Sequence, residues 1–189
     1  MATAQSTGSQ VHIKNEGAEI LVVESKEAVR LPLSKGLFSL IDREDYFRVG
    51  LWSWSAFRPV GARTWYAQSF CDHGDKKKRL VSLHQYVLSL TGNEVDHING
   101  EGLDNRKSNL RVCSHQQNIW NSQPRDGGTS AFKGVSWRAD RSKWRAYIVI
   151  NAKQRFLGLF ADEIEAAKAY DRAAKELFGV FARVNFPND

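Results

Sequence analysis

Residues 96–118 read DHINGEGLDNRKSNLRVCSHQQN. The stretch is too polar for a long core helix or a fully buried strand, and this limits the fold more than any other feature of the chain. Asp96 and His97 stand side by side, Asn109 follows twelve residues after His97, and Asn118 comes nine after that. Val95 ends a short strand, and Leu110 to Cys113 offers an antiparallel partner, so the spacing predicts a hairpin closed by a long polar loop. Leu110 and Val112 are expected to face inward, with Arg111 pointing out. Ser114 and Gln117 make an S-x-x-Q capping box, which starts a helix with Asn118 on its second turn. Hairpin, loop and helix in this order allow Asp96 and Asn118 to meet.

The residue types suit a particular chemistry. Asp and Asn oxygens are hard ligands for Mg2+, which keeps waters and takes phosphate oxygens in its remaining positions. With one ionised ligand, such a site stays partly uncompensated until a phosphate arrives. His97, beside Asp96 and of near-neutral ordinary pKa, can take a proton from an attacking water. The set reads as a phosphodiester hydrolysis site. The same residue types favour turns without help from function, and a D-H pair alone carries little weight.

The rest of the chain sets the context. Its 42% hydrophobic residues, with six Trp and ten Phe, are enough for packed cores. A net charge of +6 favours an anionic partner, nucleic acid ahead of a membrane surface, although it also serves solubility. No stretch approaches the roughly 18 apolar residues of a membrane helix. The opening MATAQSTGSQVH lacks an apolar run and reads as a mobile tail rather than a secretory signal. Cys71 and Cys113 are too few for a four-thiolate zinc site or a disulfide framework. They read as reduced packing residues of an intracellular protein, with a mixed Cys/His metal site left open.

SQPRDGGTS, residues 122–130, breaks regular structure at Pro124 and at Gly127-Gly128. The division expected from it is a tail at 1–28, a first body at 29–123, a linker at 124–130 and a second body at 131–187. In the first body LFSLIDREDYFRVGLWSWSAF and TWYAQSF have the composition of short strands, and RLVSLHQYVLSLTG reads as a strand running into a helix that stops at Gly92. KKK at 76–78 reads as a solvated hairpin tip.

In the second body FKGVSWRAD, KWRAYIVI and QRFLGLF look like three strands, and ADEIEAAKAYDRAAKELFG like a helix capped by Gly179. Its expected apolar stripe is Ile164, Ala167, Tyr170, Ala174 and Leu177. Residues 130–158 hold seven Lys or Arg and one acid, Asp140, whereas the helix holds five acids against three bases. A helix on one face leaves the other free and basic. Alternation puts Arg145, Tyr147 and Val149 there, opposite Trp144, Ala146, Ile148 and Ile150. Basic residues interleaved with aromatics suit phosphates and base edges.

Asp96-His97, Asn109-Leu110 and Asn118 resemble the HNH nuclease motif, whose fold is a ββα-metal finger. DHINGEGLDNRKSNLR is similar to the HNH endonucleases of phages and mobile introns, over residues 80–123. The resemblance implies His97 as general base, with Asp96 and Asn118 as ligands of one divalent metal, Mg2+ ahead of Mn2+. It implies that Asn109 holds the catalytic loop in shape and that Arg111 contacts the phosphate. Residues 29–79 look like the strand-rich region that often precedes this motif.

FKGVSWRADRSKWRAYI, FLGLFADEIEAAKAYDRAA and the terminal NFP resemble an APETALA2-type DNA-binding domain, which docks a three-stranded sheet in the major groove. By position, Lys133, Ser136, Arg138, Tyr147, Val149, Gln154 and Phe156 match contact positions. Ser136 and Val149 replace typical arginines and Tyr147 replaces an acid, so the plant target sequence does not transfer. Arg141, Arg145 and Arg155 would supply compensating charge. Among the other residues, His84 and Trp120 read as packed, His115 as exposed, and His12 and His73 as tail or loop.

The expected fold class is α+β, a ββα-metal HNH domain with a strand-rich N-terminal part, followed by a three-stranded antiparallel sheet packed on one helix. The expected function is an intracellular, sequence-directed endonuclease of the homing type, in the bacterial cytoplasm if phage-encoded. It acts on double-stranded DNA, without membrane association, as a nicking monomer or weak dimer. The rival is a non-catalytic DNA-binding regulator that keeps the basic sheet. The presence of all three motif positions beside that sheet favours the nuclease.

Overall fold

The computed structural model describes residues 19–23, 26–72, 78–124 and 127–188. His12, His73, Lys76 and Lys77 of the sequence reading lie outside them, as do residues 1–18 of the expected tail. The chain packs as two compact units, one made of residues up to 92 with 101–110, the other of 93–100 with 111–189. It is a mixed α/β protein of small antiparallel sheets and short helices.

In the first unit, β1 (Glu19–Val23), β2 (Lys26–Pro32) and β3 (Phe38–Asp42) form one antiparallel sheet in that order. Residues 19–23 and 26–28, assigned to the tail by composition, are therefore strand. A 3-10 turn at Arg43–Asp45 leads into α1 (Tyr46–Val49), where strand was expected. The reason is tertiary. Buried Asp45 pairs with Arg48 at 2.8 Å, and the same guanidinium donates to the carbonyls of Tyr86 and Val87, each at 2.8 Å. Those contacts override the β preference of the aromatics.

β4 (Ser55–Phe57), β5 (Tyr66–Asp72) and β6 (Lys78–Ser82) make a second antiparallel sheet. α2 (Leu83–Val87) follows directly and ends five residues before Gly92, where Arg48 takes its last carbonyls. Leu31, Ile41, Val49, Leu83 and Val87 lie in the buried core of this unit.

The polar loop 101–110 is fastened to this unit. Leu40 donates its N–H to the Leu103 carbonyl and accepts from the Asn105 N–H, both at 2.8 Å. Asn105, fully buried, donates from Nδ2 to Ser39 Oγ at 2.8 Å. Gly102 donates to Thr64 Oγ1 at 2.9 Å, and a Cβ there would meet the Trp65 carbonyl and the Tyr66 ring, with Cε1 2.7 Å away. Gly102→Ala is expected to destabilise the protein by about 1–3 kcal/mol through this overpacking. Urea denaturation monitored by tryptophan fluorescence measures it, and an unchanged midpoint would show that the loop yields freely.

In the second unit, β7 (Glu94–His97) and β8 (Leu110–Cys113) pair as a two-stranded sheet, and α3 (His115–Asn121) follows. β9 (Val135–Arg138), β10 (Lys143–Ile150) and β11 (Lys153–Phe160) form an antiparallel sheet in the order β11-β10-β9. α4 (Glu163–Phe178) packs on it, capped at its start by Asp162, whose carboxylate accepts from the Glu165 N–H at 2.9 Å. Ala146 and Ile148 of β10 are buried with Ala166, Ala167, Tyr170, Ala174 and Phe178 of α4.

Two expectations are corrected here. The buried face of α4 runs through Ala166, Ala167, Tyr170, Asp171, Ala174 and Phe178, while Ile164 and Leu177 at the ends of the expected stripe are exposed. Asp171 faces inward because its carboxylate accepts from the N–H groups of Asn185 and Phe186 at 2.8–2.9 Å. In β8, Val112 is exposed, and the covered positions are Leu110, half-buried Arg111 and Cys113. Of the stretch read as a linker, Pro124 and residues 127–130 fall in the second unit. Trp120 of α3 stacks on Phe178 of α4, with ring centres 4.3 Å apart, so α3 and the C-terminal sheet share one core.

Candidate active site

Strand geometry puts Glu94 and Asp96 on one face of β7, and helix geometry makes Asn118 and Asn121 neighbours on α3. The expected capping box is present. Ser114 Oγ accepts from the Gln117 N–H at 3.3 Å and Gln117 Oε1 from the Ser114 N–H at 2.8 Å, which fixes where α3 begins. Across from β7, Asn121 Nδ2 donates to Asp96 Oδ1 and to the His97 carbonyl, each at 2.9 Å, and to the Ile98 carbonyl at 3.3 Å. Asn118 Nδ2 donates to Glu94 Oε1 at 2.7 Å. Asp96 is thus joined to Asn121, and Asn118 to Glu94. The His115 ring, largely exposed, reaches the same Glu94 oxygen at 3.2 Å through Nδ1.

Asp96 and His97 are 4% and 6% exposed. Arg111 donates to Asp96 Oδ2 from Nε at 2.8 Å and from Nη2 at 2.5 Å. Its Nη1 donates to the Val180 carbonyl at 2.5 Å, and the guanidinium lies 4.2 Å from the centre of the Phe181 ring. Arg111 therefore turns onto the acid rather than away from it. Burial, followed by the negative charges of Asp96 and Glu94, pushes the Cys113 thiol up to about 11, so it packs as a neutral thiol. Asn109 sits in the first unit, buried, with Nδ2 on the Asp104 carbonyl at 2.8 Å. His84 stands edge-on to Tyr66 with ring centres 6.3 Å apart.

Glu94 and Asn121 were not singled out in the sequence. Each carried a signal: Glu94 is two residues before Asp96 on a strand, and Asn121 is three after Asn118 on a helix. The oxygens along these two elements, two carboxylates and two amides, suit a hard cation that retains water. Among the described residues no group of three or more His, Cys, Asp or Glu could hold a metal.

The face of the β9–β11 sheet turned away from α4 carries several expected contact residues. Ser136 pairs in register with Arg145, Tyr147 with Phe156, and Val149 with Gln154. Arg145 donates to Ser136 Oγ at 3.3 Å and lies 4.8 Å from the Tyr147 ring centre, while Phe156 is 61% exposed. Arg138 and Arg141 both pair with Asp140, at 2.9 and 3.6 Å. The hydrogen bond to Arg138 holds the Asp140 carboxyl below its ordinary value.

Two expected contacts stand elsewhere. Arg155 is in register with buried Ile148, so it starts on the side of α4. Lys133 Nζ donates to the carbonyls of Trp120 at 2.6 Å and Ser122 at 2.5 Å, closing the end of α3. Burial, then the nearby Arg183, lowers the pKa of Lys133 to about 8.

A family model described as HNH endonuclease matches residues 91–119, which hold Asp96, His97, Asn109, Arg111 and Asn118. Protein 3.8 of Escherichia phage T7 is 35% identical over 92 residues, covering 49% of this chain and 75% of the phage protein. Uncharacterized HNH endonuclease L560 of Acanthamoeba polyphaga mimivirus is 32% identical over 112 residues, 56% of this chain and 57% of the viral one. AP2-like ethylene-responsive transcription factor AIL7 of Arabidopsis thaliana is 43% identical over 61 residues, 31% of this chain and 12% of the plant protein. With the motif residues carried by β7, β8, α3 and the loop between the strands, and with these relatives alongside, the chain belongs to the HNH endonuclease family and is a DNA nuclease.

Proposed function

We propose that this chain is a sequence-directed endonuclease of the homing type, with His97 as the general base and the outer face of β9–β11 as the main grip on double-stranded DNA. The observation that carries this reading is the buried Asp96-His97 pair at the end of β7, held against α3 by Asn121. His97 takes the proton of an attacking water at its ring nitrogen. Asp96 and Asn118 would hold one divalent cation, Mg2+ ahead of Mn2+, which when bound supplies charge stabilisation at the phosphate oxygens and the leaving group. Arg111 has the fork of donors that fits a phosphate, and it would meet one by turning part of that fork from Asp96 and the Val180 carbonyl, which now accept from it. Asn109 keeps the 101–110 loop closed through the Asp104 carbonyl.

The C-terminal sheet and helix would act as an APETALA2-type module. Ser136, Arg138, Arg141, Arg145, Tyr147, Gln154 and Phe156 would meet the DNA, with Arg155 adding charge at the margin. Lys133 would join them only by leaving the carbonyls it caps. One copy of the motif implies one cut strand per monomer. A defined duplex with separately labelled strands tests this, and equal cutting of both by a proven monomer would refute nicking.

Supercoiled plasmid with Mg2+, incubated with the parent and with His97→Ala, tests the catalytic assignment. Relaxation by the parent alone is the expected result. Failure of both on plasmid and on a target-bearing duplex would favour the non-catalytic regulator. Arg138→Ala is expected to weaken DNA binding and to flatten the plot of log affinity against log salt by about one unit. Asp140→Asn, which frees Arg138 of its carboxylate partner, is expected to strengthen binding. Anisotropy titrations at several salt concentrations read both effects.

A further inference from the structure

We infer that Glu94 and Asn121 are positioning residues: Glu94 sets which atom Asn118 presents to the cation, and Asn121 fixes where Asp96 stands. The inference rests on the reading of those two residues as ligands. An asparagine amide has one acceptor oxygen and one NH2, and only the oxygen can bind a cation. Because Asn118 Nδ2 donates to Glu94 Oε1 at 2.7 Å, the Asn118 oxygen is the atom left for a ligand role. The flipped amide would set oxygen against carboxylate oxygen, so the charge of Glu94 fixes the orientation. Donation to a carboxylate also draws electron density onto the amide oxygen and makes it a better donor to a cation.

Asn121 holds the acid in place, beside Arg111, which takes Asp96 Oδ2. The Asn121 NH2 engages Asp96 Oδ1 together with the carbonyls of His97 and Ile98, so the side chain and backbone of the D-H pair are tied to the last turn of α3. Asn121 is itself 6% exposed, and its rotamer is set by this packing. The two hydrogen bonds cross between the same strand face and the same helix face. Each joins one expected ligand to one residue outside the ligand set.

The test uses the full chain, with Mn2+ as probe in calorimetric or paramagnetic titration and plasmid nicking measured in parallel. Glu94→Ala is expected to weaken Mn2+ binding by about 10–100-fold. Glu94→Gln, whose amide oxygen can still accept from Asn118, is expected to restore most of that loss. Combining Glu94→Ala with Asn118→Ala should cost little more than Asn118→Ala alone, because Glu94 acts through Asn118. Asn121→Ala is expected to show a similar loss of Mn2+ affinity, judged only where its thermal melt stays cooperative. If Glu94→Gln loses as much as Glu94→Ala and the double variant is additive, Glu94 is itself a ligand and the inference is overturned. It is also overturned if Glu94→Ala binds Mn2+ like the parent. A parent that neither binds Mn2+ nor nicks DNA removes the underlying reading, and the inference with it.

Discussion

His97→Ala is expected to slow plasmid nicking by about 10²–10⁴-fold, the usual contribution of a general base, while DNA affinity stays within about twofold of the parent. His97 follows Asp96 at the end of β7, on a backbone that Asn121 ties to α3. Loss of the ring should therefore remove proton transfer without moving the surface that meets DNA. The residual rate carries a second signature. Without an internal base the attacking species is hydroxide, so the variant's rate should climb with pH over a range where the parent's rate levels off. Because His97 is buried, the melting temperature must be recorded for both proteins. An equal fall in affinity and in rate would make His97 a structural residue.

Much of the site was legible because its cues are local. The Ser114/Gln117 capping box lies within four residues and fixed the start of α3 correctly. The alternation in WRAYIVI placed Arg145, Tyr147 and Val149 opposite buried Ala146 and Ile148. Most of what escaped depends on partners distant in sequence. Arg111 turns inward because Asp96 and the Val180 carbonyl receive it, and neither lies within its own strand. Arg155 falls on the α4 side by plain alternation in β11, opposite Gln154 and Phe156 and in register with buried Ile148. Arg43–Asp45 and α1 are helical because Asp45, Arg48 and the end of α2 close on one another. The alanines of α4 are alike in pattern on either side of the stripe, so only the sheet selects which of them are buried.

The supposed linker teaches the same lesson at larger scale. Pro124 and the glycines do interrupt regular structure, but composition cannot reveal that Trp120 stacks on Phe178 or that Lys133 closes the carbonyl end of α3. Those two contacts join residues on either side of the segment. They also place the helix bearing Asn118 and Asn121 on the same core as the proposed DNA-binding sheet.

Arg111→Met is expected to destabilise the cation-free protein by about 3–5 kcal/mol, the cost of leaving a buried carboxylate without its charged partner. Asp96 would keep only the amide of Asn121 in place of the two additional bonds from the guanidinium. For a chain of this size the melting temperature should drop by roughly 2–4 °C per kcal/mol, measured in EDTA. Methionine retains the apolar stem that packs near Phe181, so most of the loss reports on charge. The guanidinium and a divalent cation are both positive and both drawn to Asp96, so each weakens the hold of the other. Saturating Mn2+ should accordingly raise the melting temperature of Arg111→Met by several degrees more than that of the parent. Nicking should not recover with stability, because the donor proposed to meet the phosphate is gone. Equal stabilisation of the two proteins by Mn2+ would mean that arginine and cation do not compete for Asp96. In that case Arg111 serves the fold, and the phosphate must find its positive charge elsewhere.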